Sequence, residues 1–303
     1  MNEIKKIKCA VIGANGYIGR HLTYLLNRRG FDVSAYGNND VRNITIPKEV
    51  SYKKVDVTSQ HDIKKIDFDV EYLFLFAGLT GTLDGFNNYK NYLNVNELGL
   101  LNLLDALKGL NKKPHCIFPS SRLVYKGSSF PLKENDEKEA KTIYAANKIS
   151  GEYYLSAYSN MYKIPYTIFR ICVPYGNLFD DCFSFGTIGN FINKAKNKQN
   201  IILYGNGELR RTFTYIESVC EQIINSLDND KIINEIFNIS GEAYSLKDVA
   251  QLIAHKYGVE VEYIQWPEDN KLIESGDTVF DSSKLMNIIG QENTYSLKDV
   301  IFT

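Results

Sequence analysis

The stretch that decides the fold is Ile7-Lys8-Cys9-Ala10-Val11-Ile12-Gly13-Ala14-Asn15-Gly16-Tyr17-Ile18-Gly19-Arg20. A short apolar run ends at Gly13, and glycines recur at Gly16 and Gly19. Three leucines then repeat at helical spacing: Leu22, Leu25 and Leu26. Glycines let the backbone turn sharply and approach phosphates, and a helix N-terminus offers unpaired N–H groups with a partial positive charge. The pattern predicts a phosphate-binding turn, although a glycine-rich turn without a ligand is the alternative.

Composition narrows the class of protein. The chain has 303 residues, of which 44% are hydrophobic and 23% charged, and its net charge is -1. That length suits one large or two modest domains, and the charge predicts no attraction to nucleic acid or to an anionic membrane. No apolar run reaches the about 18 residues of a membrane span, and the first residues lack the apolar region of a signal peptide. We therefore expect a cytoplasmic protein with no membrane partner.

The cysteines and histidines suggest neither disulfides nor a metal site. The five cysteines are scattered and form no CxxC pair, which suits a reducing compartment. They are Cys9, Cys116, Cys172, Cys182 and Cys220. The four histidines show no ligand spacing, so we predict no metal.

Short apolar runs alternate with amphipathic stretches through the first half of the chain. Strands are predicted over 7–12, 31–36, 50–55, 70–77, 115–118 and 166–170, with long helices over 89–107 and 142–162. The run 70–77 is almost continuously apolar, as expected for a strand covered on both faces. This alternation predicts an α/β fold with a doubly wound parallel sheet, whose ligand lies at the carboxyl ends of the strands.

The rhythm changes after residue 170. Strands are predicted over 201–204, 213–216, 237–239 and 259–264, and helices over 188–198 and 245–257. Ser245 is the expected N-cap of the last of these, with Asp248 in a capping-box position. We therefore expect a dinucleotide-binding domain over 1–170, to which 212–240 return. Residues 171–211 and 241–303 would form a smaller C-terminal α/β lobe that binds the substrate.

A serine, a tyrosine and a lysine form the most specific set of reactive residues. Tyr144 is the only one of the 21 tyrosines that has a lysine, Lys148, four places later. Positions i and i+4 share a helix face, and a neighbouring ammonium stabilises a phenolate, so Tyr144 could act as an acid and base on a hydroxyl group. Ser121, at the end of the fifth predicted strand, could hydrogen-bond the same oxygen. The alternative is that Tyr144 and Lys148 share the face of a surface helix by chance and have no catalytic role.

These residues resemble the extended short-chain dehydrogenase/reductase family, which includes nucleotide-sugar epimerases, dehydratases and reductases. The resemblance covers nearly the whole chain. Its motifs are 13–19, Val55-Asp56-Val57, Phe76-Ala77-Gly78, Asn96-Glu97-Leu98-Gly99, Ser120-Ser121-Arg122-Leu123-Val124-Tyr125, Tyr144 with Lys148, 170–176, 204–213, Phe237-Asn238-Ile239-Ser240-Gly241 and Asp281-Ser282-Ser283-Lys284-Leu285. The family implies a Rossmann-type sheet, NAD or NADP as cofactor and a nucleotide-diphosphate sugar as substrate.

The resemblance also implies roles for particular residues. Asp56 would accept from the adenine amino group, Lys148 would hold the nicotinamide ribose, and Arg211 would pair with the substrate diphosphate. The cofactor would contact Gly13, Asn15, Gly16, Tyr17, Ile18, Gly19, Gly37, Asn38, Asp56, Val57, Ala77, Gly78, Thr80, Asn96, Tyr144 and Lys148. The substrate would contact Ser121, Arg122, Tyr144, Val173 and Arg211. Arg210, next to the diphosphate arginine, is more readily explained as a solvated side chain.

Departures from the family pattern bear on the detailed activity. Family members that prefer NAD end the second strand with an acidic residue, whereas this chain continues with Gly37 and Asn38, so NADP is at least as plausible as NAD. Arg42 could contribute to a 2′-phosphate site. The dehydratases carry Thr-Asp-Glu where this chain has Ser121-Arg122-Leu123, which disfavours dehydration. Val173 replaces the asparagine typical of UDP-galactose-type epimerases, which predicts a substrate different from theirs.

We therefore predict a nucleotide-sugar 4-epimerase in which Tyr144 acts as acid and base during transient oxidation at C4. The alternative is an NADPH-dependent reductase of nucleotide-linked 4-keto-6-deoxysugars, which would use the same residues. A non-catalytic cofactor-binding regulatory protein is a third interpretation, opposed by the intact reactive residues. The family implies a homodimer formed through the helices near Leu100 and Tyr153.

Overall fold

The computed structural model describes residues 6–179, 186–290 and 295–302. Cys182 lies outside the described residues. The chain divides into two compact units. The first consists of Met1–Ser120, Ile143–Phe169 and Leu227–Ile236, and the second of Ser121–Thr142, Arg170–Ser226 and Phe237–Thr303.

Twelve strands and twelve α-helices are described. The strands are β1 (Lys8–Ile12), β2 (Asp32–Gly37), β3 (Ser51–Lys54), β4 (Tyr72–Leu75), β5 (His115–Ser121), β6 (Tyr166–Ile171), β7 (Val173–Tyr175), β8 (Ile201–Tyr204), β9 (Arg210–Tyr215), β10 (Glu235–Asn238), β11 (Glu242–Ser245) and β12 (Val261–Ile264). The helices are α1 (Tyr17–Arg28), α2 (Gln60–Ile63), α3 (Asp84–Asn87), α4 (Tyr89–Tyr92), α5 (Gly99–Leu107), α6 (Ile143–Tyr162), α7 (Gly186–Lys196), α8 (Ile216–Ser226), α9 (Leu246–Tyr257), α10 (Glu268–Leu272), α11 (Ser283–Ile289) and α12 (Leu297–Phe302). A π-helix, Leu93–Leu98, joins α4 to α5. None of the described helices is long and apolar enough to cross a membrane.

A seven-stranded sheet with the order β10-β6-β5-β4-β1-β2-β3 confirms the predicted doubly wound arrangement. Strand β1 is an interior strand of the sheet, and it pairs in parallel with β2 on one side and with β4 on the other. Its residues Cys9, Ala10 and Val11 are fully buried, because helices cover both faces of such a sheet. The six sequence-predicted strands of the first half all occur in this sheet, together with β10.

The core of the first unit lies between this sheet and the leucine stripe of α5. The sequence predicts a buried stripe of six leucines here. Leu100, Leu103, Leu104 and Leu107 are buried, whereas Leu101 is partly buried and Leu93, in the π-helix, is 42% exposed. The four buried leucines pack with apolar side chains of the strands and of α6 in one cluster. Leu100 is thus a core residue of the unit.

The second unit contains a three-stranded sheet, β11-β9-β7, and a two-stranded sheet, β12-β8. Strand β9 pairs in parallel with β7 and antiparallel with β11. The sequence analysis assigned 212–240 to the dinucleotide-binding domain. Of these residues, Leu227–Ile236 lie in the first unit, whereas 212–226 and 237–240 lie in the second. The segment Ser121–Thr142 also belongs to the second unit. The Ser245–Asp248 capping box of α9 is present as predicted.

Candidate active site

The glycine turn between β1 and α1 has the geometry of a phosphate-binding turn. Gly13 has a φ of +92°, and a Cβ there would lie 2.5 Å from the backbone of Phe76 and Ala77. A Cβ on Gly19 would lie 2.2 Å from the carbonyl oxygen of Gly13, so α1 packs directly against the turn. Gly16 is the N-cap of α1 and provides no side-chain cap. Backbone N–H groups at Tyr17 and Ile18 therefore begin a helix whose positive end suits a diphosphate.

The end of β2 is closed by a tyrosine that sequence reasoning missed. A Cβ on Gly37 would meet the Tyr52 hydroxyl at 2.8 Å. That hydroxyl donates to the Asn39 carbonyl and accepts from the Asn15 Nδ2. The Asn15 Oδ1 in turn accepts from the backbone N–H of Asn43. Asn15 therefore fixes the loop after β2, and the neighbouring Asn38 is exposed.

The predicted residues after β3 and β4 lie at the carboxyl edge of the same sheet. Asp56 is exposed, and its Oδ1 accepts from both the backbone N–H and the hydroxyl of Thr58. Val57 is buried, and its side chain lies where a Cβ on Gly99 would clash. The three residues predicted to line the riboses follow β4, with partial or full exposure: Ala77, Gly78 and Thr80.

Asn96 connects the loop after β4 to α6. It lies in the π-helix, a form that is frequent at functional sites. Its Oδ1 accepts from the Leu79 N–H, and its Nδ2 donates to the Leu79 carbonyl and to the Oδ1 of Asn147. Asn147 also donates to Glu97, 2.6 Å away. This buried amide network fixes the residue that precedes Lys148 in the chain.

Tyr144 and Lys148 lie one turn apart on α6, as predicted. The Lys148 Nζ is 5.8 Å from the centre of the Tyr144 ring and 4.5 Å from that of Phe118. It donates to the Pro119 carbonyl at 2.6 Å. Burial lowers the pKa of Lys148 to about 8, and the nearby Glu152 carboxylate opposes this shift. The ammonium is thus held in place beside the tyrosine at neutral pH.

Glu152 is a further acidic residue of this site that sequence reasoning missed. It is buried, and its Oε1 accepts from the hydroxyl of Ser120 at 2.6 Å. It follows Lys148 by four residues, the same spacing that links Tyr144 to Lys148. That spacing was the signal by which it could have been found.

In the second unit, Ser121 and Arg122 begin a short 3₁₀-helix, Arg122–Val124. Ser121 is the last residue of β5, and its Oγ accepts from the Leu123 N–H at 3.2 Å. The Arg122 Nη1 lies 3.5 Å from the hydroxyl of Thr278, which is fully buried. Burial and the nearby Arg211 lower the pKa of Arg122 to about 10.

Arg211 is 2% exposed and engaged within the unit. Its Nη2 pairs with the Glu274 carboxylate at 2.6 Å, and its Nη1 donates to the carbonyls of Arg210 and Gly276. Sequence reasoning predicted the arginine but not its carboxylate partner, 63 residues away. Val173, also predicted for the substrate, is buried in β7 opposite Phe213.

Comparison with known proteins accounts for this combination of features. Residues 9–240 match the model of the NAD dependent epimerase/dehydratase family. The chain belongs to that family. A curated relative described as a putative UDP-glucose 4-epimerase, from Methanocaldococcus jannaschii, is 29% identical over 84% of each chain. A UDP-N-acetyl-alpha-D-glucosaminuronate decarboxylase from Bacillus cytotoxicus is 30% identical over 81% of this chain and 79% of its own.

The fold is also similar to that of solved structures described as nucleotide-sugar epimerases. The structure of a UDP-glucuronic acid 4-epimerase from Bacillus cereus, in complex with UDP-glucuronic acid and NAD, aligns with a TM-score of 0.84 at 22% identity. The alignment covers 97% of this chain and 96% of that one.

The residues present fit the dinucleotide that the family name implies. Side chains at Gly13 and Gly19 would fill the turn, and glycine leaves the backbone open to a pyrophosphate. The Lys148 Nζ lies at the same edge of the sheet, where it donates to the Pro119 carbonyl of β5. Among the described residues, no group of three or more histidine, cysteine or acidic side chains could hold a metal ion.

Proposed function

We propose that this chain is an NAD-dependent nucleotide-sugar 4-epimerase. The observation that carries the proposal is the pairing of Tyr144 with the buried ammonium of Lys148 on α6, in a chain whose first turn fits a dinucleotide. Two of the three proteins compared above support the same activity, because they are described as 4-epimerases of UDP-sugars.

Epimerisation at C4 requires a proton transfer, which the chain would provide, and a hydride transfer, which the cofactor would provide. Tyr144 removes the proton of the C4 hydroxyl and returns it to the inverted alcohol. Lys148 favours the phenolate electrostatically, and Ser121 hydrogen-bonds the reacting oxygen. NAD held at the glycine turn, Gly13 to Gly19, would supply the hydride chemistry at C4.

Arg211 and the end of β5 bear on the substrate. We assign Arg211 to the diphosphate on the family resemblance. Two of its five N–H donors remain after those that bind the two carbonyls and Glu274, which hold the guanidinium in position. The residues after Ser121 are a cation and a leucine, so this segment supplies no carboxylic acid for the elimination of water. Epimerisation therefore fits the segment better than dehydration.

We propose NAD rather than NADP because of the direction of Arg42. Its Nη1 lies within 3.2–3.5 Å of the carbonyl oxygens of Pro47, Lys48 and Val50. This guanidinium is the one that the sequence suggested for a 2′-phosphate, and those carbonyls compete for it. The carboxylate of Asp40 is exposed in the same loop, paired with Lys54 at 2.8 Å.

We also propose a homodimer that forms through the π-helix and α6. Leu98 and Tyr153 are exposed apolar residues of these two elements, 46% and 66% accessible. A stable partner surface would remove them from water.

The test is incubation of the purified protein with UDP-glucose, UDP-glucuronate and UDP-N-acetylglucosamine, with NAD or NADPH, followed by product chromatography. We expect C4 epimers without net consumption of the cofactor. Stoichiometric oxidation of NADPH with a 4-keto sugar would instead identify a reductase. Cofactor binding with no turnover of any nucleotide sugar would favour the non-catalytic interpretation.

A further inference from the structure

A charge cluster in the second unit contains more guanidinium than carboxylate. Its members are Arg122, Arg211 and Glu274. The Arg211 Nη2 lies 2.6 Å from the Glu274 Oε1, and the same oxygen accepts from the Gly276 N–H at 3.0 Å. Arg211 pairs across an isolated bridge with Thr278, whose hydroxyl faces Arg122. The second arginine therefore lies beside a pair that is already neutral.

Neighbouring groups do not supply the missing negative charge. Burial raises the pKa of the Cys172 thiol, so that side chain is neutral at physiological pH. Lys141, which donates to the Glu274 carbonyl, is compensated by Glu139 at 3.5 Å. Among the described residues, the hydrogen bond made by the Arg122 side chain is the long one to Thr278. A guanidinium with five N–H donors is thus left with one weak neutral partner.

Such an arrangement is costly unless an anion completes it. Thr278 is fully buried and Cys172 is 8% exposed, whereas Arg122 itself is partly exposed, so its guanidinium is partly shielded from water but remains accessible. A charge that loses part of its hydration without gaining a partner is unfavourable. One unmatched positive charge corresponds to one carboxylate, which a guanidinium can bind with two parallel hydrogen bonds.

We propose that Arg122 is a specificity residue that binds a carboxylate on the hexose of the nucleotide sugar, so that the preferred substrate is a uronic acid derivative. This rests on the proposed epimerase function. The sugar is favoured over the diphosphate because Arg122 directly follows Ser121, which is assigned to the reacting hydroxyl. Arg211 already serves the diphosphate.

The experiment compares binding of UDP-glucuronate and UDP-glucose to the NAD-loaded protein by calorimetry. Arg122→Met should weaken UDP-glucuronate at least about tenfold, the size of a lost charged hydrogen bond, and leave UDP-glucose almost unchanged. Arg122→Lys should restore part of the difference, because it keeps the charge without the planar fork. Arg210→Met is the matched control, since Arg210 is an exposed arginine of β9 and its loss should affect both ligands little.

Two binding results would contradict the proposal. Equal weakening of both ligands in Arg122→Met would assign this arginine to the diphosphate, and no weakening would leave it without a role in binding. Unchanged NAD affinity in the variants establishes that they fold.

Measurements of turnover distinguish failure of the Arg122 proposal from failure of the proposed epimerase function. If UDP-glucuronate binds selectively through Arg122 but is not epimerised, the proposed function fails and the specificity stands. If UDP-glucose is epimerised and Arg122→Met behaves as wild type, the proposed function stands and the proposed role of Arg122 fails.

Discussion

Tyr144 is the side chain whose loss has the most defined consequence. Tyr144→Phe keeps the ring that packs near Lys148 but removes the hydroxyl that exchanges a proton with the sugar. We expect turnover to fall by about 10²–10⁴-fold, the usual contribution of a positioned acid or base. NAD affinity, measured by fluorescence titration, should change little. Turnover close to that of wild type would exclude Tyr144 as the acid and base.

Lys148 gives the reaction a predicted alkaline limit. Its pKa is lowered to about 8, from 10.5, so the ammonium beside Tyr144 is lost as the pH rises through about 8. We expect the rate of epimerisation to decline over that range. The free energy of unfolding should rise with pH between 8 and 10.5. In that range the side chain of Lys148 keeps its proton in the unfolded chain but has released it in the folded one.

Glu152 makes this limit testable. Its carboxylate opposes the fall in the pKa of Lys148, so Glu152→Gln should move the alkaline limb of the pH–rate profile to lower pH. Ser120→Ala is the matched control, since it removes a hydrogen bond to the same carboxylate but keeps the charge. A limb at the same pH in Glu152→Gln and in wild type would show that Lys148 does not set it.

At the scale of the elements, the contact between α1 and the first turn can be tested through Gly19. Gly19→Ala would place a Cβ 2.2 Å from the Gly13 carbonyl oxygen. The nearest atoms belong to the backbone of Gly13 and Ala14, so α1 would have to shift away from the turn. We expect a stability loss of about 1–3 kcal/mol, as for other overpacked sites, and weaker NAD binding. Thermal unfolding and NAD titration measure the two effects. Gly109→Ala, which meets nothing within 4 Å, is the control and should leave both nearly unchanged.

At the scale of the whole molecule, local patterns predicted the elements but not the long-range pairings. The apolar run of β1, the leucines of α5 and the Ser245 cap are encoded within a few residues, and all three are confirmed. The Arg211–Glu274 pair joins residues 63 positions apart, and no periodicity connects them. The boundary between the two units at Ser121 also depends on long-range pairings. Strand β5 belongs to the seven-stranded sheet, but the segment that follows it belongs to the second unit. Strands, helices and caps were therefore easier to predict than the long-range partners of side chains.

The proposed dimer is the prediction that belongs to the assembly. An aromatic side chain that is 66% exposed on a long helix, such as Tyr153, costs little to a monomer but contributes strongly when buried in an interface. We expect light scattering after size exclusion to give twice the chain mass at micromolar concentration. Tyr153→Glu should shift the protein toward monomer, because a carboxylate there would be buried without a partner. Tyr263→Glu, at an exposed tyrosine of β12 in the second unit, should leave the dimer intact. A wild-type protein that is monomeric throughout this range would contradict the proposal, as would equal dissociation of the two variants.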